Sequence, residues 1–104
     1  MAITNKRLCA NTLTAANATL YTAPVTAGNY TVIKSITLCN KTSANHTVNL
    51  KFNGIDVIFG HTILANDTIT VPFIDQIIEA SELIEGSADA VDSITYYISG
   101  KEVT

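Results

Sequence analysis

At the middle of the chain, Asn53-Gly54 separates two apolar runs. A two-residue type I′ turn needs positive φ at both central positions, and Asn-Gly meets that need better than other pairs. The run before it, His46–Phe52, alternates strictly. Val48, Leu50 and Phe52 fall on one side, and Thr47, Asn49 and Lys51 on the other. Period two is the signature of a half-buried strand. Ile55–Phe59 is expected to pair back across the turn. A tight antiparallel hairpin is therefore fixed near the midpoint of the chain, and the rest must be built outward from it.

The flanking sequence continues in the same idiom. Thr, Asn and Ile dominate; Thr and Ile are β-branched and suit a pleated surface, while Asn supplies turns. Tyr30–Asn40 reads as a long strand. Val32, Ile36 and Leu38 are expected on one face, with Ile33 and Cys39 on the other. Shorter strands are expected at Thr19–Thr22, Thr62–Leu64, Thr68–Val71 and Leu83–Ala88, and a closing strand at Val91–Val103. Pro24 and Pro72 end the strands before them, because proline has no N–H for a ladder. Gly60-His61 reads as a bend. The segment Phe73–Glu85 fits either a helical stripe or a broken path. We expect a short helical turn near residues 74–78, a tight turn at Ala80-Ser81-Glu82, and then strand. About eight short strands spaced by turns describe an all-β, single-domain antiparallel β-sandwich, jelly-roll-like in plan. Residues 1–14 are expected to form an N-terminal arm or edge strand, and residues 15–104 the sandwich.

The chain has 104 residues, enough for one core and too few for two. No apolar run approaches the ~18 residues of a membrane span, and the first 24 residues do not read as a secretory signal. The net charge of −3 hides a division. Residues 1–55 hold Lys6, Arg7, Lys34, Lys41 and Lys51 and no acid. Residues 56–104 hold all nine acids and Lys101, so the halves carry +5 and −8. Either strands of opposite charge interleave within one sandwich, or a basic face and an acidic face meet between copies. On the second arrangement Lys41, Lys51, Asp89 and Asp92 are candidate interface residues. Scattered cations do not make the basic stripe that nucleic acid requires.

The search for chemistry returns little. Cys9 and Cys39 lie in no metal-binding motif; they are either two free thiols or a disulfide. As free thiols, Cys39 on its central strand should react slowly and Cys9 on the edge faster. His46 and His61 read as turn-region histidines. The serines lack a nucleophile context, and the acids lack a calcium-loop spacing. No cofactor or metal is implied, and the chain does not read as an enzyme. Tyr96 and Tyr97 must point to opposite faces. Tyr97 is the candidate for an interface, a sugar-stacking surface or simple sheet packing.

The order of segments resembles a known family. LYTAPVTAGNYTVIKSITLCN leads to VNLKFNG, then ILANDTI, then EASELIEGSADAVDSITYYISGKEV. Across roughly residues 19–103 this resembles small β-sandwich virion structural proteins of tailed bacteriophages. Two departures are Val25-Thr26, inserted before Ala27-Gly28, and Ala80-Ser81-Glu82, where the family pattern has a Gly-Asp turn. The resemblance implies a non-enzymatic virion structural protein, assembled in the host cytoplasm. Such a protein would be an accessory or decoration subunit on capsid, neck or tail, acting through homo-oligomeric and other protein–protein contacts. A virion-surface module that binds host carbohydrate is the alternative.

Overall fold

A computed structural model describes residues 2–104. The Asn53-Gly54 turn forms as expected, with φ of 52° and 73°. It joins β4 (His46–Phe52) to β5 (Ile55–Ile63). The other described strands are β1 (Ile3–Thr12), β2 (Ala18–Thr22), β3 (Tyr30–Asn40), β6 (Thr68–Val71), β7 (Gln76–Glu79), β8 (Leu83–Ala88) and β9 (Ile94–Val103). One sheet has the order β1-β9-β3-β6, with β7 also paired to β3; the other has the order β2-β8-β4-β5. Every pairing is antiparallel.

These pairings follow a simple rule. β4 pairs β5, β3 pairs β6 and β7, β2 pairs β8, and β1 pairs β9. The chain is thus one long antiparallel ribbon whose tip is Asn53-Gly54, rolled so that its arms form two facing sheets. This is the jelly-roll plan, and it leaves most of β1, β2, β5, β6 and β7 as sheet edges. The core between the sheets is aliphatic: Leu13, Ile33, Leu38, Leu50, Ile63, Ile78, Ile84, Ile94 and Ile98 are almost wholly buried. Each such side chain contributes about 1.5–3 kcal/mol by leaving water.

Three expectations need correction. First, residues 74–78 form no helical turn. Phe73 and Asp75 take φ of 57° and 46°, outside the right-handed helical region, and Gln76–Glu79 becomes a strand against Tyr30–Ile33. Only Ile78 of its apolar pair is buried; Ile77 is exposed. The open edge of β3 supplies partners that an isolated helical turn would lack. Second, Gly60-His61 does not end a strand. Gly60 sits in β5 at φ 62°, and the register slips there by an irregular step, so 55–63 is continuous. Nine strands result, with β6 and β7 sharing one edge. Third, Val32 and Ile33 exchange faces. The register of β3 against β9 shifts between Ile33 and Ser35, with Lys34 as the extra residue. Such a bulge inverts the alternation on one side of it. Thr31 and Ile33 therefore turn inward with Ile36 and Leu38, while Val32 faces out with its neighbours Ile77 and Lys101.

The first expected segment becomes β1, an edge strand on β9; Met1 lies outside the described residues. The turn at Ala80-Ser81-Glu82 closes without glycine. Ser81 adopts φ 66°, Glu82 N–H donates to the Glu79 carbonyl at 3.1 Å, and the Glu79 N–H is capped by the Glu82 carboxylate at 2.7 Å.

Candidate interaction surfaces

The ribbon explains where the charges go. Because the tip coincides with the boundary between the basic and acidic halves, each basic strand lies beside an acidic one. Lys6 meets Glu102 at 3.4 Å, and Lys34 meets Asp75 at 2.7 Å. Lys51 is in register with Asp56 on one side and Glu85 on the other. His46 meets Asp89 at 2.8 Å. The charges interleave within the subunit; no separate basic and acidic faces form.

The candidate residues Lys41, Lys51, Asp89 and Asp92 are accordingly not one surface. Lys41, Asp89 and Asp92 share one end of the sandwich. The Lys41 N–H donates to the Ser93 carbonyl, and the Asp89 N–H to the Thr47 carbonyl. Lys51 lies beside the ribbon tip, about 17 Å along β4 from His46 at the usual rise per residue. The loop at the first end is organised by Asn40, which is fully buried. Its Nδ2 donates to the carbonyls of Ala44 at 2.8 Å and Ile63 at 3.0 Å. Its Oδ1 accepts from the Thr42 N–H at 3.0 Å and the Thr42 hydroxyl at 2.8 Å.

Both cysteines are free. Cys9 is opposite Ile98 and Cys39 opposite Thr95, so β9 runs between them. Two strand spacings exceed the ~7 Å Cα separation that a disulfide tolerates. They also face opposite ways. Cys9 packs on the core, and burial pushes its thiol up to about 11. Cys39 lies in a shallow outer cleft with Thr37, Thr95 and Tyr97. The Cys9–Cys39 bridge is incompatible with this fold, and the expected order of reactivity is reversed.

Tyr96 and Tyr97 do face opposite ways. Tyr96 is buried, and Tyr97 is half exposed on the outer face. The Arg7 guanidinium lies 5.9 Å from the Tyr97 ring centroid, a cation–π contact that covers part of the ring. Between the sheets, the Tyr21 hydroxyl donates to the Glu102 carboxylate and lies 3.0 Å from the Thr31 hydroxyl. Burial first, and then that carboxylate, raise the pKa of Tyr21. The tyrosine thereby pins β2 to β9 and β3. Among the described residues, no three His, Cys, Asp or Glu gather as a metal site.

The largest exposed apolar surface lies elsewhere. Ile55, Val57 and Phe59 of β5 stand exposed at the edge of their sheet, Phe59 at 77%. A cleft of about 330 Å³ runs between this edge and β6–β7, lined by Ile36, Phe52, Val57, Ile58, Val71 and Ile74. Phe73, beside Ile74, is 89% exposed. Sequence reasoning treated Ile55–Phe59 only as the return strand of a hairpin. The signal that could have exposed it is IDVIF itself, whose apolar residues occupy both faces of a strand.

The chain matches no protein-family model and no curated protein.

Proposed function

We propose that this chain is a non-enzymatic structural subunit, a virion accessory protein of the tailed-bacteriophage kind its sequence resembles. It is assembled in the host cytoplasm and attaches to capsid, neck or tail by protein–protein contacts, including contacts with its own copies. The observation that carries this reading is the apolar edge formed by Ile55, Val57, Phe59 and Phe73. A subunit that stays alone in water gains nothing from such a patch, and contiguous apolar surface of this kind marks interaction sites. The jelly roll suits the role but does not assign it, since one fold hosts many functions. The test is to purify particles made from the locus that encodes the chain and to search them by mass spectrometry and immunogold labelling. Stoichiometric presence in particles supports the reading; a chain confined to the cell lysate refutes it.

A second reading, carbohydrate recognition, has one favourable observation. Tyr97 borders a cleft lined by Asn11, Thr12, Thr37 and Thr95, an aromatic ring among amide and hydroxyl groups. Glycan-array binding abolished by Tyr97→Ala would support it.

A further inference from the structure

An unpaired strand edge offers free N–H and C=O groups to any other chain, and proteins normally guard such edges. β1 carries Lys6, Arg7 and a bulge at Leu8. β2 has five residues and its own register break. β6 and β7 have four residues each, separated by Pro72 and flanked by Asp75. β5 differs from these described edges. It has nine residues, no Lys, Arg or Pro, and a single acid, Asp56. Its irregularities do not hide it. Val57 is the extra residue between Asp56 and Ile58, and Phe59 falls in the slipped stretch before His61. Bulges re-aim side chains, and here they send two apolar ones outward.

Phe73 adds an independent observation. It is 89% exposed and holds φ 57°. A bulky residue in the left-handed region is strained by about 1–3 kcal/mol. Glycine or asparagine would meet the turn's needs better in a solitary subunit, so the phenyl ring is placed there against both solvation and backbone preference.

We infer that two copies of this chain associate through β5 and Phe73 about a two-fold axis. An isologous contact uses the same patch twice and closes on itself. β5 fixes its direction. Asp56 stands near one end and His61 near the other, so an antiparallel approach sets each Asp56 beside the other copy's His61, whereas a parallel one opposes Asp56 to Asp56. The area suffices as well. Two phenyl rings with Ile55 and Val57 from each copy place roughly 1,000 Å² in the contact, the lower bound for a specific interface. This inference rests on the structural-subunit reading and names one partner for its surface.

The experiment is sedimentation velocity on the purified full chain between about 1 and 100 µM, with strand content followed by circular dichroism. The wild type should be a dimer in the upper part of that range. Phe59→Lys installs the missing guard and should give a monomer with an unchanged spectrum. Phe73→Gly should weaken the dimer at least tenfold yet raise the unfolding midpoint of the monomer, opposite signs that general misfolding cannot produce. Val91→Lys, exposed at the other end of the sandwich, should leave the dimer intact. A wild type monomeric throughout, or a Phe59→Lys variant as dimeric as the wild type, overturns the inference. A monomer that still joins particles through β5 overturns the second-copy assignment and leaves the structural-subunit reading standing. A dimer never found in particles does the reverse.

Discussion

Asn40→Asp exchanges one NH₂ group for an oxygen at constant shape, and the structure makes its cost calculable. The native amide is fully buried and uses both of its ends: two donated bonds to Ala44 and Ile63, two accepted from Thr42. The carboxylate keeps the acceptors and loses the donors, and it aims an anionic oxygen at two carbonyl oxygens. Two lost bonds and two stranded buried carbonyls amount to roughly 3–4 kcal/mol at neutral pH. With a urea m-value near 1.5 kcal/mol/M, the midpoint should fall by about 2 M. The penalty must also depend on pH. Burial against carbonyls raises the pKa of the introduced carboxyl above its unfolded value of about 3.9. Below that value the protonated group restores one donor and most of the penalty is absent. As pH rises through the folded pKa, the penalty grows to its full size. Urea unfolding of variant and wild type at pH 4 and pH 7.5, at one protein concentration, measures the difference. A midpoint shift under about 0.5 M at pH 7.5, or the same shift at both pH values, would refute the assignment of Asn40 as a buried donor.

Gly100→Ala would place a Cβ atom 2.1 Å from the Val32 carbonyl oxygen and 3.0 Å from Leu8 Cδ1. A backbone atom cannot step aside without parting β3 from β9, so a loss of about 3 kcal/mol or more is expected in urea unfolding, and a loss below about 1 kcal/mol counts against this close approach. A maleimide at neutral pH should modify Cys39 well before Cys9, whose buried thiol is pushed up to about 11; peptide mapping that finds Cys9 first contradicts the placement of the two strands. Lys34→Glu should destabilise by no more than about 1 kcal/mol, because Lys34 and Asp75 are both well exposed. Adding Asp75→Lys should restore most of that loss, and ~0.5 M salt should shrink it; a larger, salt-insensitive loss would mean that Lys34 matters through the bulge and not through its charge.

The strands were legible where local chemistry decides them. Asn53-Gly54 set the hairpin, the alternation at His46–Phe52 set the inner face of β4, and prolines set two ends. Legibility failed where a cross-strand partner decides. Nothing in YTVIKSITLC marks Lys34 as the bulged residue; it is extra only because β9 opposite runs Ser99-Gly100. That one insertion moved Ile33 into the core and Val32 out of it. Phe73–Glu79 misled for a related reason. Its apolar spacing fits a helical stripe, but the unpaired first half of β3 offered Ile77 and Ile78 a ladder. The cysteines were misjudged because sequence distance from the centre stood in for facing. Cys9 on an edge strand points inward, and Cys39 on a central strand points out.

The charge division takes its meaning from the ribbon. Individually the ion pairs are worth little, since most of their members are solvated. Their arrangement matters more. With the tip at Asn53-Gly54 and the first acid at Asp56, an arm that pairs with the opposite arm always sets cations beside anions. An arm that pairs with its own kind, in a neighbouring copy or in an unfinished chain, sets like charges together, which costs energy and disfavours the wrong partner. The division therefore serves pairing within the chain. It is largely neutralised once β1 meets β9 and β3 meets β7, and little of it is left to bring subunits together. The contact between subunits must then come from apolar surface. β5 is where the ribbon leaves such surface open: it follows the tip directly, has β4 on one side, and has no strand on the other.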